Sequence, residues 1–356
     1  MRPYGVHDGI FTFEGKAQNN KMNQDNTLNN LNAFRAIACW VVCLYHAAFI
    51  LSEHYPGVMP VLDWGQEGVY AFFVISALVL SWSMAQGQYQ WRFIGKFLLK
   101  RFTRLYPPLL LSIGLWLLYF QMGNGSISQE VLIKAFDSAL MVVPFKGSLW
   151  INNLYWTIFV LFQFYLFQAL AYPFLAHANH LIRRVSFLIT LAMTFIPTLF
   201  FPEYRDIKIV LFFHLPIFSM GHLLFLYYKK IITVSEFVVE FILAMATCAF
   251  LTGYIYGMGY HILIAATLTC LGILFVKSPP NWLSFIGKIS YSFYLIHGVV
   301  IYTVIYYLSE FKKSASGSLI TYLLIQAIAI FAAWLIYLLI EKPSARWAKM
   351  IHYTVK

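Results

Sequence analysis

The stretch "FRAIACWVVCLYHAAFI", residues 34–50, places Arg35 at its start and His46 well inside, with no charged residue between them. Arginine in an apolar helix is expensive, and histidine is unusual there. As a helix, the segment turns about 100° and rises about 1.5 Å per residue, so two residues eleven positions apart fall within about 20° of one another and about 16 Å apart. Cys39 and Cys43 lie on the same arc, and Trp40 points elsewhere. A face carrying these groups belongs against other helices or a cavity rather than lipid. The run is therefore read as one helix of a bundle.

Working outward, the composition agrees. Hydrophobic residues make up 60% of the 356-residue chain and charged residues only 11%, against about 25% charged in an ordinary soluble domain. The expected fold class is all-α, a polytopic transmembrane helix bundle. Runs of about 20 apolar residues span a hydrocarbon layer about 30 Å thick. Ten such runs are read, at 34–52, 68–85, 104–122, 153–172, 185–201, 208–228, 235–253, 258–276, 284–309 and 319–341. A shorter run at 131–144 reads as re-entrant or interfacial. The domain reading is a polar, disordered tail at 1–33, a membrane domain at 34–341 and a short basic tail at 342–356. Met22 is an alternative start.

The net charge of +11 does not mark a nucleic-acid protein, because the basic residues sit in short clusters between apolar runs. Arg92, Lys96, Lys100, Arg101 and Arg104 lie on one side with Arg183, Arg184, Lys229, Lys230, Lys277, Lys342, Arg346 and Lys349. The opposite side opens with Glu53, Asp63 and Glu67, and has Lys134, Lys146, Arg205, Lys208, Lys312 and Lys313 as its minority of bases. The positive-inside bias then puts both termini in the cytoplasm. The four cysteines all fall in apolar runs and form neither a disulfide framework nor a metal-type spacing.

Each polar group in the apolar runs has an ordinary reading and a chemical one. Arg35 alone is an interfacial anchor, and His46 alone a satisfied core histidine; their shared face favours a joint role. A metal site of Cys39, Cys43 and His46 lacks partner ligands elsewhere. "KRFTRLYPP" (100–108) puts Arg101 and Arg104 three apart at a helix mouth. That is topogenic charge, or a guanidinium fork that grips phosphate bidentately. Ser76 in "GVYAFFVISALVL" (68–80) ordinarily bonds back to its own helix. "IGKISYSFYLIHGVVIY" (286–302) interleaves Ser290, Ser292 and His297 with Tyr291 and Tyr294, and its small residues suit helix packing. Gln163 in "LYWTIFVLFQFYLF" (154–167) reads as an interhelix hydrogen bond.

Taken in order, these pieces resemble the acyltransferase-3 family of integral membrane acyltransferases. They are Arg and His with ten residues between them in the first helix, Gly-Val-x-x-Phe-Phe-Val-x-Ser in the second, and Arg-x-x-Arg-x-Tyr-Pro at the third. A Trp-led stretch ending Gln-Phe-Tyr follows, and Ser-Tyr-Ser-x-Tyr-Leu-x-His comes late in the chain. The likeness covers about residues 28–345. The resemblance implies O-acetylation of a cell-surface or exported glycan, or a related hydroxyl acceptor, in the inner membrane of a bacterium. Acyl-coenzyme A, most simply acetyl-coenzyme A, is then the co-substrate, with no permanently bound cofactor or metal. It assigns His46 as catalytic base and Arg35, Arg101 and Arg104 as the donor-binding residues. Ser76, Gln163, Tyr291 and His297 become candidate lining residues. The chain departs from the pattern at Tyr70, where many members have Asp, and at Ala77, where many have Gly. Leu161 and Phe162 stand where glycan-modifying members often carry two Glu.

Two other classes compete. Intramembrane His and Arg on interrupted spans also suit a transporter or flippase of a polysaccharide or polyprenyl-linked intermediate. A non-catalytic partner in a polysaccharide-synthesis complex predicts that His46 is dispensable.

Overall fold

The structure is a computed structural model, and it describes residues 5–7, 10–12, 19–54, 63–200, 210–255, 257, 259–276, 279–308 and 315–352. Among these the fold is an all-α bundle, with a two-stranded antiparallel ribbon, β1 (Gly5–His7) and β2 (Ile10–Thr12), near the N-terminus. The helices in chain order are α1 (Asn19–His54), α2 (Gly68–Gln86), α3 (Ile94–Asn124), α4 (Gln129–Leu140), α5 (Val143–Lys146), α6 (Tyr155–Leu175), α7 (His180–Ala192) and α8 (Ile196–Phe200). They continue with α9 (Leu211–Tyr228), α10 (Val234–Ala249), α11 (His261–Phe275), α12 (Asn281–Lys288), α13 (Ser290–Tyr307), α14 (Ala315–Ile336) and α15 (Lys342–Met350).

Eight helices among the described residues are long and apolar enough to cross a membrane. The bent pair α12–α13 makes a ninth when taken as one span. The run at 258–276 corresponds to α11, which has only 15 residues and covers about 22 Å. Each of the ten apolar runs thus has a helical counterpart, although that one is shorter than a full crossing. Arg205, Lys208, Lys277, Lys312 and Lys313, used above for orientation, lie outside the described residues.

α9 lies at the centre, buried along nearly its whole length. It packs on α2 through Gly221, where a Cβ would collide with the Val74 carbonyl oxygen. Close backbone approach of this kind needs glycine, because apolar helices in lipid gain little from hydrophobicity and associate by fit. α10 opens with a capping box, in which the Thr233 side chain and Glu236 each satisfy the other's backbone N–H. Glu236 also takes a hydrogen bond from Arg184 at 2.9 Å, which ties α10 to α7.

Three boundaries differ from the sequence reading. α1 begins at Asn19, fifteen residues before Phe34. Leu31 and Ala33 are buried and the Asn30 amide donates to the Val276 carbonyl, so the last turns of the expected tail are packed. α3 begins at Ile94 rather than 104, and its first turns carry Lys96, Lys100 and Arg101. The run at 284–309 is not one helix: α12 and α13 meet at a 71° bend. Gly287 presses on α1, where a Cβ would collide with the Asn32 carbonyl. Past the bend, the carboxylate of Glu341 accepts the Ser292 N–H at 3.2 Å and so caps the new N-terminus of α13.

The 131–144 run forms α4 and α5, a short helical hairpin. Lys146 Nζ donates to the buried Asp137 Oδ1 at 2.6 Å, and Ser138 Oγ accepts the Ile151 N–H at 3.0 Å. Leu132, Ile133, Phe136 and Leu140 stay exposed on the other face of α4, a stripe with the four-residue spacing of an interfacial helix.

Candidate functional site

α1 presents Arg35 and His46 on one face, as their spacing requires. Around Arg35, α1, α2, α3, α6, α12 and α13 enclose a cavity of about 130 Å³. Arg35, Arg101 and Arg104 all line it, together with Ser76, Tyr291 and Glu341. Arg101 is 8% exposed and its guanidinium lies over the Phe97 and Tyr165 rings, 5.5 and 5.8 Å from their centroids. Stacking on aromatic faces suits the weakly hydrated guanidinium. Tyr291 donates to the Leu105 carbonyl at 2.7 Å, locking α13 to α3 beside Arg104. The rest of the wall is apolar and includes Phe72, Val79, Leu80 and Leu161.

Glu341 is the residue that the sequence reading missed. It sits in the wide turn Tyr337–Glu341 between α14 and α15 and is 5% exposed. Its Oε2 accepts from Ser292 Oγ at 2.6 Å as well as from the Ser292 N–H, and the charges of Arg104 and Arg35 reach it. The signal was visible. Glu341 is the one carboxylate in the run 319–341, and a charged residue in an apolar run is a site candidate by default.

His46 stands beyond the cavity. Its Nδ1 is 2.9 Å from the Val42 carbonyl oxygen and 3.3 Å from Nε2 of His297, whose own Nδ1 is 3.3 Å from the Phe293 carbonyl. Carbonyls only accept, so the network assigns the proton to Nδ1 on both rings. This tautomer leaves the lone pair of His46 on Nε2. Tyr294 lines the cavity and its ring centroid is 5.8 Å from that of His297. Tyr294 thus touches both the arginine cavity and the histidine pair. Thr157 shares a hydrogen bond with the Tyr294 hydroxyl at 2.9 Å and fixes it there.

Of the residues singled out from the sequence, Arg35, Arg101, Arg104, Ser76 and Tyr291 share the cavity, and His46 and His297 meet next to it. Gln163 is elsewhere. Its Oε1 accepts the Leu211 N–H at 3.1 Å and caps the start of α9, the interhelix role that its ordinary reading gave it. The departures from the family pattern divide in the same way. Tyr70 is buried against Phe73 and His214 and does not itself line the cavity, whereas Leu161 is on its wall.

An arginine-lined, partly apolar cavity can take an anionic group, and a buried imidazole beside it can accept a proton. No curated protein and no solved structure matches the chain. Residues 28–338 match the acyltransferase-3 family, described as an acyltransferase domain. The match takes in Arg35, Arg101, Arg104 and the histidine pair, so the chain belongs to the acyltransferase-3 family and is an integral membrane acyltransferase.

Proposed function

We propose that the protein transfers an acyl group, most simply acetyl, from cytoplasmic acyl-coenzyme A to a hydroxyl of an exported or cell-surface glycan or related acceptor, in the inner membrane of a bacterium. The observation that carries this reading is the cavity in which Arg35, Arg101 and Arg104 converge, with His46 about 16 Å further along the helix of Arg35. Coenzyme A has the same layout, with phosphates at one end, an extended uncharged arm and a thioester at the other. The arginines take the phosphates. Phe72, Val79, Leu80 and Leu161 flank the arm, and the thioester passes Tyr294 to reach His46.

Neutral imidazole is a suitable base near pH 7. His46 Nε2 takes the proton of the attacking hydroxyl and returns it to the departing thiolate, a contribution of about 10²–10⁴-fold. His297 receives the other edge of the ring and holds its orientation. Glu341 neutralises part of the arginine cluster and keeps α13 seated on it.

The test is donor affinity. Arg101→Glu with Arg104→Glu weakens acetyl-coenzyme A binding by tenfold or more, read as loss of the ligand-induced thermal shift of the purified protein. Equal affinity in the reversed protein removes the arginines from the donor site and leaves them as topogenic charge.

A further inference from the structure

Four cations stand on the wall of the cavity, Arg35, Arg101, Arg104 and Lys288, against one carboxylate, Glu341. The function proposed above uses the three arginines and leaves Lys288 without a task. Arg101 is buried and Arg35 and Arg104 are partly so, whereas Lys288 is exposed. A side chain that lines a cavity and is also exposed stands at its mouth. Glu341 is taken up by Ser292, and among the described residues Lys288 forms no ion pair with a carboxylate.

The fold holds this lysine in place. Lys288 is the last residue of α12, at the bend into α13. Its neighbour Gly287 presses on Asn32 of α1, three residues before Arg35 and fourteen before His46. Along α1, Asn32 is about 4.5 Å further from His46 than Arg35 is. Lys288 therefore belongs to the end of the cavity away from the base.

The two kinds of cation suit different anions. Guanidinium is a planar, weakly hydrated fork that matches paired oxygens in a buried place, and ammonium is a strongly hydrated point charge on a flexible stem. Coenzyme A likewise carries two kinds of phosphate, a diphosphate within the chain and a 3′-phosphate monoester on its ribose. A phosphate monoester carries about −1.5 to −2 charge at pH 7, and this one projects from the nucleotide end, farthest from the thioester. We propose that Lys288 binds the 3′-phosphate of the acyl donor at the mouth of the cavity while the arginines hold the diphosphate. This rests on the acyl-coenzyme A reading above. The site then selects free coenzyme A thioesters over acyl groups carried on a protein-bound phosphopantetheine, which has no 3′-phosphate.

The experiment compares acetyl-coenzyme A with acetyl-3′-dephospho-coenzyme A, by equilibrium binding to the full chain in nanodiscs of phosphatidylcholine. The parent is expected to bind the first about five- to tenfold more tightly, as a charge-assisted contact at an exposed site allows. Lys288→Met and Lys288→Gln lose that preference by weakening acetyl-coenzyme A alone, and Lys288→Arg restores part of it. Lys230→Met, which removes a charge from a residue outside the cavity, keeps the preference. Equal affinities of the parent for the two thioesters overturn the site and need no variant. Equal weakening of both thioesters in Lys288→Met also overturns it, as does loss of the preference in Lys230→Met. An effect of Lys288→Met seen only in nanodiscs that contain phosphatidylglycerol gives the lysine to a lipid headgroup and overturns the site. In each of these cases the donor reading stands if Arg101→Glu with Arg104→Glu weakens both thioesters alike. No binding of either thioester by the parent overturns both readings.

Discussion

Glu341 joins stability to function within a single side chain. Its carboxylate holds both the N–H and the hydroxyl of Ser292 and faces Arg35 and Arg104. Glu341→Ala leaves those groups unpaired in an interior, a loss of about 2–4 kcal/mol, and the measured outcome is a lower thermal midpoint in detergent. Glu341→Gln keeps an acceptor for Ser292 and loses only the charge, so it falls between the two. A midpoint for the Ala variant equal to that of the parent contradicts this role. His46, Arg35 and the Arg101–Arg104 pair were legible because a charged or basic side chain in an apolar run is conspicuous. Glu341 was passed over because it abuts the basic tail beginning at Lys342 and reads as the edge of the membrane rather than the inside of a site. Gln163 makes the interhelix hydrogen bond of its ordinary reading, and an amide in an apolar run is conspicuous whether it serves a ligand or, as here, the first N–H of α9.

At the scale of elements, the bend between α12 and α13 decides the shape of the cavity, because Gly287, Lys288, Ser290 and Tyr291 line it from both sides of that bend. Periodicity gave no hint of the break, since an apolar run looks the same whether straight or bent. Its causes lie far off in sequence, in Asn32 and Glu341. Gly287→Ala drives a methyl into the Asn32 carbonyl and forces α12 off α1. The expected outcome is loss of about 1–3 kcal/mol together with weakened donor binding, checked by thermal unfolding and ligand-induced shift on the same sample. The α4–α5 hairpin gives a pH test. The Lys146 hydrogen bond holds the Asp137 carboxyl below its ordinary range. A carboxyl depressed in the folded state stabilises the hairpin above its unfolded pKa of about 4 and loses that contribution as pH falls through the lower folded value. Exchange protection of the Ile151 amide, bonded to Ser138 Oγ, should hold above about pH 4 and fail in stronger acid. Lys146→Met removes the partner of a buried carboxyl and moves that loss to higher pH.

For the molecule as a whole, the fold class and the positions of ten apolar elements follow from hydropathy, because lipid permits only self-satisfied backbone. What hydropathy does not carry is which helices touch. The α2–α9 and α1–α12 contacts depend on Gly221 and Gly287 meeting particular carbonyls, and nothing local marks those partners. We propose a division of labour along α1, with the donor's charge held around Arg35 and the chemistry done at His46. The most direct measurement is transfer of label from acetyl-coenzyme A by purified, folded His46→Ala protein beside the parent. The account predicts that the variant inserts, keeps its thermal midpoint and its donor-induced shift, and loses transfer by about 10²–10⁴-fold. Transfer at the parental rate by the folded variant contradicts it.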